Sequence, residues 1–277
     1  MEIQEVPKLY LDQKNEDVEL FVYDFKMSDD VVKQKVNLTL HMFSFLQTGK
    51  KEIHFTDTSV EVNVSQSILI KKGNSLWTEL IDKESSYFCR LLFFSDDMIK
   101  KFLSENNYSL KSKKDKQPFF IIENDDFIMA YLNSLSSMNL SFYNANDQLL
   151  KVKFNELIIY LIAKYGDKFV QYLFSLISEI SSPFITVIEK NVYSNLKLEE
   201  IAFLCNMSLS TFKRHFKSEF GVSPGKWFQD KRLLKAKELL EKANKKPTDI
   251  HEGLGYTNLS NFSAAYKNKF GKYPSEK

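Results

Sequence analysis

The chain has 277 residues, 43% of them hydrophobic, and sets 38 Lys and Arg against 36 Asp and Glu for a net charge of +2. That length suits two modest domains, and no run approaches the roughly 18 apolar residues of a membrane helix. The opening MEIQEVPKLY lacks the parts of a secretion signal, and Cys89 and Cys205 stand far apart without a CxxC, which fits a reducing cytoplasm and argues against a disulfide framework.

Residues 1–30 show no clear period. From about 36 to 94 the pattern is strand-like: VEVNV at 60–64 alternates, while LTLHMFSFL (38–46) and CRLLFF (89–94) are apolar runs of strand length. TGKK at 48–51 and KKGN at 71–74 are turn signals between them. Short strands in succession predict an antiparallel β-sandwich or cupin-like barrel. Phe43, Phe45, Phe55, Trp77, Tyr87 and Phe93 either line a ligand pocket there or fill the core, and strand aromatics more often do the second. At Ser95 a capping serine followed by Asp96 and Asp97 opens a helix.

KSKKDKQP (111–118) reads as a charged loop, and helices follow to about 180: DDFIMAYLNSL, then DQLLKVKFNELIIYLIAKYG, then DKFVQYLFSLIS. The second of these is apolar nearly all round in its later half, so it is buried against something. A core helix is one reading. A subunit contact through Leu157, Ile158, Leu161 and Ile162 is the other, and it makes the chain a candidate homodimer. SSP at 181–183 breaks the pattern and sets the expected boundary between a sensing and dimerisation domain, 1–183, and a second domain, 184–277.

The second domain reads as short helices throughout and is basic. From Ile185 onward 17 Lys and Arg face 10 Asp and Glu, a net of +7, while the rest of the chain nets −5. Such a split points to a polyanion partner. MSLSTFKRHFKSEFGVSP (207–224) puts Phe212, Phe216 and Phe220 on one helical face, with Lys213, Arg214 and Lys217 among them. Ser208 caps its start, and Gly221 and Pro224 close its end. The segment recurs. At an offset of 50, Phe212, Phe216, Phe220, Gly221 and Pro224 fall on Phe262, Tyr266, Phe270, Gly271 and Pro274, and the later copy carries one extra residue in its turn. Each copy reads as helix, tight turn, helix, the unit whose second helix fits a DNA major groove.

IA (201–202), MS (207–208), FKRHFK (212–217), GVSP (221–224), RLLKAKELL (232–240), GY (255–256), Phe262, YK (266–267) and FGKYP (270–274) stand in order at these spacings. Over this last third the chain resembles the AraC/XylS family of transcription regulators. The resemblance implies an α+β fold whose all-α end holds two helix-turn-helix units. It implies contact with double-stranded promoter DNA through Ser208, Ser210, Thr211, Lys213, Arg214 and Lys217 in the first unit, and Thr257, Asn258, Ser260, Asn261, Ser263 and Lys267 in the second. Arg214 suits a guanine edge, while Lys213 and Lys217 suit phosphates. Ala202 is the small residue expected at the close helix contact of the first unit, and Arg232 and Ala236 lie on the connecting helix. The second unit departs from the family pattern: His251 replaces the small residue, and Ala264 stands where relatives carry arginine. The stretch from Phe43 to Leu103 is similar to the front domain of the family's type III secretion activators, which respond to a protein partner.

Catalysis is not expected. His41, His54, His215 and His251 form no HxH or HxxxH pair, so no metal site or cofactor is foreseen. Glycine-rich phosphate loops and GxSxG are missing, and neither cysteine has the Pro-Cys context of repair methyltransferases that share such helix pairs. The reading is a cytoplasmic regulator, an activator in preference to a repressor, that meets RNA polymerase and answers to a small-molecule or protein effector. The alternative from another class is an interaction adaptor with a decayed second unit.

Overall fold

The computed structural model describes residues 2–11, 18–82, 86–109, 117–136, 143–177, 184–241, 243 and 245–276, with the backbone alone at 143–147. The charged loop, bar Gln117 and Pro118, and the SSP break both lie outside these. Two compact units form, one up to residue 181 and one from 182 onward, with Thr56–Thr58 falling in the second.

The first unit has two five-stranded sheets. Across one run β1 (Gln4–Val6), β3 (Val31–Leu38), β8 (Gly73–Leu80), β5 (Lys50–His54) and β6 (Ser59–Val62). Across the other run β10 (Phe119–Glu123), β7 (Gln66–Ile70), β4 (His41–Thr48), β9 (Tyr87–Phe94) and β2 (Leu20–Met27). The pairings are antiparallel except β1 on β3, which is parallel and departs from the all-antiparallel expectation.

The apolar runs have a physical cause. β4 and β9 lie inside the second sheet, and both of its faces are covered. Phe43, Phe45, Leu92 and Phe94 point into a core shared with helices. Met42, Leu46, Leu91 and Phe93 point the other way, into the core between the sheets. A strand buried on both faces reads as a continuous apolar run. β6 sits at an edge, so its Val60 and Val62 alternate with exposed residues. The sheet also begins earlier than 36: Phe21, Tyr23, Phe25 and Met27 of β2 pack on the inter-sheet core at a period of two. The six aromatics flagged as core or pocket are all buried, which settles them as core.

Between the sheets lies a closed polar cluster. The Lys51 ammonium, fully buried, is 3.1 Å from a Glu79 carboxylate oxygen and 4.4 Å from the centre of the Trp77 ring. It donates to Ser44 Oγ at 3.2 Å, and Tyr87 OH donates to Glu79 at 2.7 Å. Burying these charges is tolerable because each meets the other and further polar groups.

α1 (Asp96–Glu105), α2 (Asp126–Ser136), α3 (Tyr143–Tyr165) and α4 (Asp167–Leu176) share the other core with the second sheet. Ser95 caps α1, its Oγ accepting from Met98 N–H. On α3 the structure favours the core-helix alternative. Leu157, Ile158 and Leu161 are fully buried in this core, as the core-helix reading expects, which leaves these three no surface for a subunit contact; Ile162 is half buried and packs against the same core. Among the described side chains of α3, the exposed large apolar residues are Leu149, Val152 (60%) and Ile159 (54%). Among the described residues no helix is long and apolar enough to cross a membrane.

The second unit contains α5 (Phe184–Lys190), α6 (Leu198–Leu204), α7 (Leu209–Phe220), α8 (Pro224–Glu241), α9 (Pro247–Ile250), a 3-10 turn at Glu252–Leu254, and α10 (Leu259–Phe270). Phe212 and Phe216 of α7 pack on Phe184 of α5, and Phe216 also meets Trp227 and Phe228 of α8. Phe262 and Tyr266 of α10 share a core with Leu233 and Ala236, farther along α8, and with Ile250 and Leu254. The periodic aromatics thus anchor both copies to one connecting helix.

Candidate nucleic-acid interface

Each copy is built the same way from its backbone outward. In the first, Met207 N–H donates to Ala202 C=O, and Asn206 N–H donates to Phe203 C=O. In the second, Tyr256 N–H donates to His251 C=O, and Gly255 N–H donates to Glu252 C=O. These pairs correspond at an offset of 49. Asn206 and Gly255 both take the left-handed conformation, with φ of 57° and 78°. From the caps onward the offset is 50: Ser208 Oγ accepts from Thr211 N–H, and Asn258 Oδ1 accepts from Asn261 N–H. The extra residue in the second turn therefore lies between Gly255 and Asn258. Gly221 and Gly271 end the two second helices in matching left-handed caps.

With the aromatic face held inward, Ser210, Lys213, Arg214 and Lys217 stand on the opposite, exposed side of α7. Their spacing of three and four places them on one stripe. The same positions of α10 hold Ser260, Ser263, Ala264 and Lys267. One stripe has three cations and the other has one. Thr211 and Asn261 are exposed beside them, as is Thr257 in the turn. Lys267 has a defined seat, its ammonium 4.1 Å from the centre of the Tyr273 ring.

Two of the flagged residues have a structural duty. Ser208 and Asn258 spend a side-chain oxygen on the helix start, and Ser208 Oγ lies within hydrogen-bond distance of the Ser210 and Thr211 hydroxyls as well. Ala202 is buried, as a close helix contact requires. His251, expected to crowd the same place in the second copy, is only half buried, and Nδ1 lies 3.0 Å from Thr248 C=O. Burial pushes the Cys205 thiol at the end of α6 up to about 12, so it stays protonated.

Two family models match the chain: the ExsA N-terminal regulatory domain over residues 41–172, and a helix-turn-helix domain over residues 201–277. The second match spans both copies. Over these two stretches the chain is similar to the AraC/XylS family of transcription regulators. It is 30% identical over 129 residues to the virulence regulon transcriptional activator VirF of Yersinia enterocolitica, a match covering 46% of this chain and 48% of the relative. It is 36% identical over 87 residues to the HTH-type transcriptional regulator ExsA of Pseudomonas aeruginosa, covering 31% of each. The chain thus spans about half or less of the length of these AraC-family relatives. Apo ToxT K231A from Vibrio cholerae aligns over 92% of this chain and 94% of its own, with 17% identity and a TM-score of 0.43. The two named sequence relatives are transcription regulators.

Sequence reasoning placed Arg232 on the connecting helix without a task. Its guanidinium donates to three backbone carbonyls: Val192 at 2.7 Å, Ser194 at 2.6 Å and Gly255 at 3.1 Å. No spacing rule reveals such a clamp, because its partners lie 40, 38 and 23 residues away.

Proposed function

We propose that this chain is a sequence-specific, DNA-binding transcription regulator that activates its promoters. Its parts are a regulatory and dimerisation domain, 1–183, and a DNA-binding domain, 184–277. One observation carries the reading: two helix-turn-helix copies share their backbone bonds and caps, and the exposed stripe of the first presents Ser210, Lys213, Arg214 and Lys217 together. In this reading Arg214 takes a guanine edge with its planar fork, while Lys213 and Lys217 hold phosphates. Thr211 and the cap residue Ser208 border that contact. In the second unit Ser260, Asn261 and Ser263 offer polar groups to bases, Lys267 holds a phosphate, and Thr257 and Asn258 flank the turn.

Activation is supported by the likeness to the transcriptional activator VirF, and it implies contact with RNA polymerase in the cytoplasm. The regulatory role of the front domain is supported by the match over residues 41–172, and its effector is a small molecule or a regulatory protein. Self-association would use the exposed Leu149, Val152 and Ile159 of α3. The test is selection of duplexes from a random pool by the full chain, followed by gel shifts over a salt series. A defined site should emerge, and affinity should fall steeply with salt as counterions are released. Failure to select any duplex, or an affinity indifferent to salt, overturns the reading.

A further inference from the structure

The three bonds of Arg232 join parts of the second unit that are far apart in sequence. Val192 and Ser194 lie between α5 and α6, ahead of the first helix-turn-helix. Gly255 lies in the turn of the second, four residues before α10 begins. Arg232 itself sits mid-way along α8. The guanidinium thus ties the turn that launches the second recognition helix to the segment that leads into the first unit.

The internal repeat supplies an independent observation. At the equivalent left-handed position the first copy has Asn206 and the second has Gly255. Asparagine tolerates that conformation, so backbone shape alone does not demand glycine. The neighbours do. A Cβ on Gly255 would lie 2.7 Å from Ser194 O and 2.8 Å from the Arg232 guanidinium carbon. The second copy has lost its side chain at the place where the clamp closes.

Resting on the DNA-binding reading above, we propose that Arg232 is a positioning residue: by clamping Gly255 to the 192–194 segment it fixes α10 relative to α7, and so sets the spacing of the two DNA segments the chain accepts. α8 has 18 residues and is about 27 Å long. Successive inward faces of the major groove recur at about 34 Å. Helix length alone does not bring both recognition helices into register, so their mutual orientation decides which spacing fits.

The experiment uses the full chain and the duplex that the wild type selects from a random pool. Base pairs are inserted or removed, one or two at a time, between the two protected segments. Wild type should favour the selected spacing by about tenfold or more over its neighbours. Arg232→Lys, which cannot span three carbonyls, should cut that preference to about twofold. Its affinity for a duplex carrying only the first-unit segment should stay within about twofold of wild type. Gly255→Ala should relax the spacing in the same way, and it serves as the deciding variant if Arg232→Lys loses its cooperative melt. Folded variants that keep the wild-type spacing preference overturn the clamp while leaving DNA binding intact. Loss of affinity that is equal at every spacing also overturns it, since that is what a purely structural residue would show. A wild type that selects no duplex at all fails the DNA-binding reading first and the clamp with it.

Discussion

Glu79→Ala tests whether the inter-sheet cluster holds the first unit together. The carboxylate accepts from Tyr87 OH at 2.7 Å and lies 3.1 Å from the Lys51 ammonium. Removing it leaves a fully buried cation with one hydroxyl, Ser44, and the face of Trp77. Breaking one side of a buried pair costs about 3–5 kcal/mol, most of it the penalty for the charge left behind. In a unit of this size each kcal/mol moves Tm by about 2–4 °C, so the transition should fall by roughly 6–20 °C. Lys51→Met combined with Glu79→Leu removes both charges and keeps apolar volume. That double variant should return to within about 2 kcal/mol of wild type, because a pair replaced by packed apolar groups forfeits little. Calorimetry on the full chain reads the transition that moves with Glu79→Ala, and a thermodynamic cycle gives the coupling. A Glu79→Ala transition within about 3 °C of wild type, or a double variant less stable than the single one, would refute the reasoning.

Arg214→Ala should cost about 1–3 kcal/mol on the selected site and flatten preference at one base step, whereas Lys217→Ala should weaken all duplexes alike and lower the salt slope by about one; gel shifts on a substitution series separate them. Val152→Glu and Ile159→Glu should shift the sedimentation of the chain towards monomer without lowering its Tm, whereas Ile158→Glu should unfold the first unit, since Ile158 is 0% exposed and Ile159 is 54% exposed. Acid should destabilise the first unit in two stages followed by melts from pH 8 to pH 3. Burial lowers the pKa of His41, whose Nδ1 accepts from Lys72 N–H, so its contribution is present above the unfolded value of about 6.5 and is lost as pH falls below it. Burial tends to raise Asp125, but hydrogen bonds from Lys164, Tyr160 and Ile128 N–H outweigh it and hold the group at about 2. Its contribution is therefore present above about pH 4 and is lost towards pH 2. His41→Gln should abolish the upper stage only, and a wild-type Tm that stays flat between pH 7 and pH 3 contradicts both assignments.

What the sequence made legible follows the range of the interactions involved. Helix caps are local: Ser95 and Ser208 act within three residues, and both were readable. The internal repeat was readable because packing on one connecting helix makes both copies keep an aromatic at the same turn. Residues 157–162 gave an ambiguous signal. Apolar all round means buried, but whether by the same chain or by another depends on what packs alongside, and here α4 and the second sheet do so. β10 went unnoticed, although FFII between Pro118 and Asn124 is a buried strand in miniature, because five residues beside a charged loop carry too few periods to count. β2 was missed although Phe21, Tyr23, Phe25 and Met27 recur at the strand period of two, with Asp24 and Lys26 exposed between them.

The differences between the two copies say more about mechanism than their likeness does. Phe212 and Phe262, or Gly221 and Gly271, match because each copy must fold. Folding, however, puts no constraint on an exposed stripe, nor does it require glycine where asparagine serves. The stripe has nevertheless kept three cations in α7 and one in α10. The turn has lost its side chain only in the copy that Arg232 grips. A unit that contributed affinity and base reading independently would need its own cations. A unit held in fixed register by its neighbour needs fewer, because the first contact has already met most of the entropic cost of bringing it to the duplex. On the proposed reading, the charge asymmetry and the clamp are two faces of one arrangement, in which α7 would read and α10 would be delivered to its place.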